Sequence, residues 1–175
     1  MEDAANRPST LRVFWLWIGL IIALDQIAKV LAIVYLKHDS PFNVLPGLFN
    51  LCYVENRGAA WGVLAGSQTF LISFSLITLA FLFWKRTTLF GALWGGSFIF
   101  TLLIAGIVGN LTDRIRLGYV VDFLDFYWGR SHFPAFNVAD SAICVATILL
   151  ILSQWVHDRH NAGATQVKAS EAGSQ

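Results

Sequence analysis

The sequence predicts an all-α membrane protein with four transmembrane helices. Two observations carry that fold class. The 175 residues are 56% hydrophobic and 13% charged, with a mean hydropathy of +0.60, whereas a soluble domain carries about 25% charged residues. The apolar residues also gather into four long runs, and about 20 residues of apolar helix cross a hydrocarbon core. The length allows one domain, read here as a membrane-embedded unit over 1–160. Residues 161–175 are rich in Ala, Gly, Ser and Gln, a composition that suits a disordered tail.

The first run is Val13 to Leu36, the second about Thr69 to Trp84, the third Leu89 to Val108 and the fourth about Val138 to Val156. The first follows Arg7 and Arg12, as a secretion signal would. It is longer than a signal core, carries Asp25 and Lys29, and is not followed by a small-residue cleavage site, so a retained helix is expected. Four spans put both termini on one side. Arg7, Arg12, Arg159 and the dense Lys85-Arg86 turn share that side, which by the positive-inside rule is the cytoplasm. The long segments 37–68 and 109–137 then face outward.

Residues 44–55 mix β-branched and aromatic residues around a Pro-Gly turn signal, so a strand or two is expected there. Residues 58–66, small and apolar, suit a short interfacial helix or packing against the bundle. Gly91 and Gly95 have GxxxG spacing, which suits close helix packing. A net charge of +1 carries no footprint for nucleic acid. Cys52 and Cys144 make no disulfide framework and are expected as free buried thiols.

Ionisable groups inside spans need a partner or a purpose. Asp25 and Lys29 stand four apart on one helix face, the spacing of a neutralised structural pair. Segment 109–141 instead sets Asp113, Asp122, Asp125 and Asp140 among Val, Phe, Leu, Tyr and Trp. Alone, Asp140 fits a helix cap partner of Asn137, and Asp122 fits an ion pair with Arg114 or Arg116. Together, two carboxylates in a partly dry site share a proton near neutral pH. One can serve as general base on a water while the other polarises a scissile carbonyl. That chemistry needs no metal or cofactor, and none is expected. HExxH, GxSxG and phosphate-loop motifs do not occur in the sequence. Asp125 is the rival: it shares a face with Asp122 if the segment is helical and opposes it if extended.

These residues form an ordered set: DQIAK at Asp25–Lys29, ENRGAAWG at Glu55–Gly62, GNLTDR at Gly109–Arg114, VVDF at Val120–Phe123 and FNVAD at Phe136–Asp140. The set resembles bacterial lipoprotein signal peptidase, the signal peptidase II family, over about residues 15–155. The resemblance implies a multi-pass aspartyl endopeptidase of the plasma (inner) membrane, with its site near the extracytoplasmic face. Its substrate would be a diacylglyceryl-modified prolipoprotein, cut on the amino side of the lipidated cysteine. No obligate protein partner is implied beyond that substrate and membrane lipid. It implies a dyad at Asp122 and Asp140, with Asn56, Gly58, Asn110, Arg114 and Asn137 supporting the dyad and the substrate backbone. It also implies a small extracytoplasmic β-sheet and a short helix at the membrane surface. The competing expectations are a small proton- or cation-coupled transporter or channel subunit, and a non-catalytic assembly factor.

Overall fold

The computed structural model describes residues 7–39, 41–59 and 63–172, with side chains over 13–39, 41–59 and 63–162. The order of elements is α1 (Arg7–Leu36), β1 (Phe42–Leu45), β2 (Phe49–Asn56), α2 (Gln68–Trp84), α3 (Arg86–Phe90), α4 (Gly96–Leu117), β3 (Val120–Trp128), β4 (Ser131–His132) and α5 (Val138–Ala172).

Among the described residues, three helical stretches are long and apolar enough to cross a membrane: Val13–Leu36, Gly96–Leu117 and Val138–Ala162. The second expected span is a shorter apolar helix of 17 residues, α2. Large apolar side chains such as Leu16, Ile27, Val34, Ile77 and Ile151 point outward and are more than half exposed, as lipid-facing helices require.

The third span differs from expectation. It is Gly96–Leu117, not Leu89 to Val108. The chain leaves α2 into the short helix α3, and Gly95 then adopts a left-handed φ of 67° before α4 begins, a conformation glycine takes without a Cβ penalty. Gly91 and Gly95 therefore break a helix instead of forming a GxxxG face. At the other end, α4 runs through the polar GNLTDR segment that was expected as loop. It stops at Gly118, whose φ is 78° and whose N–H caps the Arg114 carbonyl. Arg114 and Arg116 in the last turn suit the negative end of the helix dipole.

The expected strands are present, within a larger sheet. Leu45-Pro46-Gly47-Leu48 turns β1 into β2, with Gly47 at φ 82° and Leu48 N–H donating to the Leu45 carbonyl at 3.0 Å, the pattern of a type II turn. The four-stranded antiparallel sheet has the order β1-β2-β3-β4. In the β2–β3 register Val54 faces Asp122 and Asn56 faces Val120. The expected interfacial helix at 58–66 includes 60–62, which lie outside the described residues; 63–66 form a turn. Residues 161–172, expected as a disordered tail, continue α5. Ala, Gln, Lys and Glu in that stretch are good helix formers.

Two apolar clusters flank the middle of the molecule. One joins the helices, with Phe14, Ile18, Phe90, Phe100 and Ala146 at its centre. The other packs Val121 and Phe123 of β3 against Ala28, Ala32 and Leu36 of α1. The polar residues singled out in the sequence lie between them.

Candidate active site

Asn110, Asp113 and Arg114 project from the last turns of α4, Asp122 from β3, Asn137 and Asp140 from the start of α5, and Asp25 and Lys29 from α1. Asn137 caps α5: its Oδ1 accepts from Asp140 N–H at 2.9 Å, and Asp140 Oδ2 accepts from Asn137 N–H at 3.3 Å. This is a reciprocal capping box, so Asp140 is both a cap partner and a cavity residue.

Asn137 also donates through Nδ2 to Asp122 Oδ1 at 2.7 Å and to Asn110 Oδ1 at 3.2 Å. Asn110 Nδ2 donates to Asp140 Oδ1 at 2.7 Å. Asn56 Nδ2 donates to Asp122 Oδ2 at 2.9 Å, while the Gly58 N–H donates to Asn56 Oδ1 at 3.0 Å and sets which end of that amide meets the carboxylate. Three asparagines thus tie the two aspartates into one network. Asp122 and Asp140 open on a cavity of about 470 Å³. Its polar wall is Asn56, Asn110, Arg114, Ser141 and the two acids; its apolar wall includes Val120, Phe133, Phe136, Cys144 and Val145.

Asp122 is 1% exposed. Burial pushes its carboxyl up to about 7, with the nearby Asp140 charge adding to the rise and the Asn56 and Asn137 amides opposing it. Arg114 does not pair with Asp122; its Nη2 donates to the Gly58 carbonyl at 3.2 Å, and its buried Nε has no hydrogen-bond partner among the described residues.

Asp125 stands apart. An odd separation along a strand sends Asp122 and Asp125 to opposite faces. Asp125 meets His132 Nδ1 at 2.8 Å and accepts from Asn50 Nδ2 at 3.1 Å, and it does not line the cavity. Asp25 and Lys29 pair at 2.9 Å, and Lys29 pairs equally with Asp113. Asp113 was missed as a partner because its segment was read as loop; helical spacing from Asn110 would have found it. Gln26, whose Nε2 donates to Asp113 at 2.9 Å, was missed for the same reason.

Cys52 and Cys144 are free, but they are not buried as expected: Cys52 is half-buried and Cys144 is exposed on α5. Cys144 is exposed because it lines the cavity. Burial, with Asp125 and Asp122 nearby, pushes the Cys52 thiol up to about 11, so no thiolate nucleophile forms there near neutral pH.

An apolar bundle carrying a small sheet, with two networked carboxylates on one half-apolar cavity, defines a class: a membrane enzyme with an acidic site. The family described as signal peptidase (SPase) II matches residues 17–156. A lipoprotein signal peptidase of Syntrophotalea carbinolica is 42% identical over 82% of this chain and 91% of its own. One of Shewanella loihica is 41% identical over 93% and 96%. A solved bacterial membrane enzyme superposes with a TM-score of 0.71 at 34% identity, over 85% of this chain and 90% of its own. The chain belongs to the signal peptidase II family and is a peptidase.

Proposed function

We infer that the chain is a lipoprotein signal peptidase of the bacterial inner membrane, and that Asp122 and Asp140 form its catalytic dyad. The observation that carries the assignment is their convergence: two carboxylates from separate elements line one cavity and are joined through Asn137 and Asn110. The dyad holds one proton between its members and titrates as a unit. The ionised member takes a proton from water, and the hydroxide equivalent attacks the scissile carbonyl. The protonated member donates to the carbonyl oxygen. Proton return to the amide nitrogen releases the signal peptide.

Asn56, Gly58, Asn110 and Asn137 orient the carboxylates. Arg114, which lines the cavity, donates to a substrate backbone carbonyl. The apolar wall suits the acyl chains of a diacylglyceryl cysteine, which would enter sideways from the outer leaflet. In this reading residues 1–160 are one peptidase domain, α2 is the fourth span, both termini are cytoplasmic and the sheet is extracytoplasmic. A proton or cation transporter is disfavoured, because the chain belongs to a peptidase family and the acids meet in one cavity.

The test is cleavage of a lipid-modified prolipoprotein by the purified chain in detergent. Asp122→Asn and Asp140→Asn each lower the rate by at least about 10³-fold, as loss of a general acid or base does, with insertion unchanged. Asp125→Asn stays within about twofold, because its carboxylate meets His132 and Asn50, does not line the cavity and is out of reach of the transferred protons. Full activity in either of the first two variants removes the dyad.

A further inference from the structure

The proposed chemistry leaves a deeply buried cation unused. Lys29 is 2% exposed, and a buried ammonium costs several kcal/mol unless its protons are accepted. All three are. Asp25 Oδ2 and Asp113 Oδ2 accept at 2.9 Å each, and Asn110 Oδ1 accepts at 3.0 Å.

An ammonium can only donate. It therefore obliges Asn110 to turn its carbonyl oxygen inward, which leaves the NH₂ group for Asp140 Oδ1. The reversed amide would set an NH₂ against the ammonium and an oxygen against the carboxylate. The same Asn110 oxygen receives Asn137 Nδ2, which also serves Asp122. The anchor is itself fixed to each element that carries the site. Asp25 accepts from Ala139 N–H of α5 at 2.8 Å, and Asp113 of α4 accepts from Val121 N–H of β3 at 3.1 Å.

We propose that Lys29 is a positioning residue of the peptidase: its third proton sets the Asn110 amide, which orients Asp140 and, through Asn137, Asp122. This goes beyond a neutralised helix pair, and it rests on the dyad reading above.

The test compares two double variants of the full chain. Lys29→Met with Asp113→Asn removes the donor. The cluster's formal charge stays at minus one: Lys29 with Asp25 and Asp113 in the parent, Asp25 alone in the variant. Lys29→Gln with Asp113→Asn keeps an N–H donor. Both are assayed for kcat, KM and thermal midpoint on a lipid-modified prolipoprotein peptide. The Met form loses about 10–100-fold in kcat through misplacement of the reacting groups, with KM within about twofold. The Gln form recovers at least about fivefold of that loss. Added to Asn110→Ala, the Met change costs nothing further, because both act through one amide.

Parental kcat in the Met form, equal kcat in the Met and Gln forms, or additive losses with Asn110→Ala overturns the proposal. If the Met form does not fold, the Gln form decides: retained kcat supports the proposal, and lost kcat at unchanged thermal midpoint overturns it. Asp140→Asn is run in parallel. If it cleaves normally, the dyad reading itself falls. If it is inactive while the Met form is fully active, only the positioning role falls.

Discussion

At the scale of single residues, the site is a matter of which hydrogen-bonding end each amide presents. Asn56, Asn110 and Asn137 all turn NH₂ groups toward carboxylates, and each orientation has its own cause: the Gly58 N–H, the Lys29 ammonium and the Asp140 N–H. Asp122, as one member of the dyad, contributes to the pH dependence. Its carboxyl rises from an ordinary 3.8 to about 7 because burial disfavours the charge. A group whose pKa is raised by folding stabilises the fold fully below its unfolded pKa, and that stabilisation is lost as pH rises through the folded value. Thermal stability should therefore decline as pH rises from about 4 through about 7, and Asp122→Asn should flatten that slope. Cleavage, which needs the shared proton, should fall on the alkaline side with an apparent pKa near that of Asp122, about 7. A kcat profile that stays flat well above neutrality would separate Asp122 from the proton inventory.

At the scale of elements, the close approach of α4 and α5 brings Asn110 to Asp140. Glycines permit it. A Cβ at Gly106 would stand 2.5 Å from the Ala139 carbonyl oxygen and 2.6 Å from an Ile143 side-chain carbon. One at Gly109 would stand 2.8 Å from Asp25 Oδ2. Gly106→Ala should force the helices apart at the level of the cap and cost about 1–3 kcal/mol, the range for overpacking. The thermal midpoint should drop, and kcat should fall with it as the Asn110–Asp140 contact lengthens. An unchanged midpoint would mean that the helices yield without strain. The strand β3 matters equally. Its extended backbone sends Asp125 to His132 and Asn50 and leaves Asp122 facing the cavity.

At the scale of the whole molecule, the polar network lies between two apolar clusters, one among the helices and one between α1 and the sheet. Basic residues sit over aromatics both away from the sheet, where Arg86 lies over Phe14 at 4.7 Å, Lys85 over Trp84 at 4.3 Å and Arg159 over Trp155 at 4.0 Å, and beside it, where Lys37 lies over Tyr53 at 5.3 Å and Arg57 over Tyr119 at 5.6 Å. Such cation–aromatic pairs suit the interfaces on both sides of a bilayer. Reporter fusions after Arg86 should read cytoplasmic, and fusions near Gly129 should read extracytoplasmic. The reverse pattern would put the cavity on the wrong side for emerging precursors.

The membrane class was legible in the sequence because a bilayer leaves its mark in composition and run length, as Val13–Leu36 shows. The Asn137–Asp140 cap was legible because it is local, spanning one turn of helix. So was the Leu45–Leu48 turn, where Pro and Gly have few other uses. The Asp25–Lys29 pairing was legible for the same reason, since helix geometry alone brings positions four apart together. Tertiary structure decided the rest. Whether GNLTDR was loop or helix depended on packing of α4 against α1 and α5, and with it the place of Asp113 beside Lys29. Whether VVDF was strand or helix depended on pairing with β2, far away in the chain, and that pairing separated Asp122 from Asp125. Long-range contacts leave little trace in local spacing. Local spacing could therefore name the acids and the motif set could imply a pair, while only the fold could bring Asp122 and Asp140 to one cavity and turn Asp125 away from it.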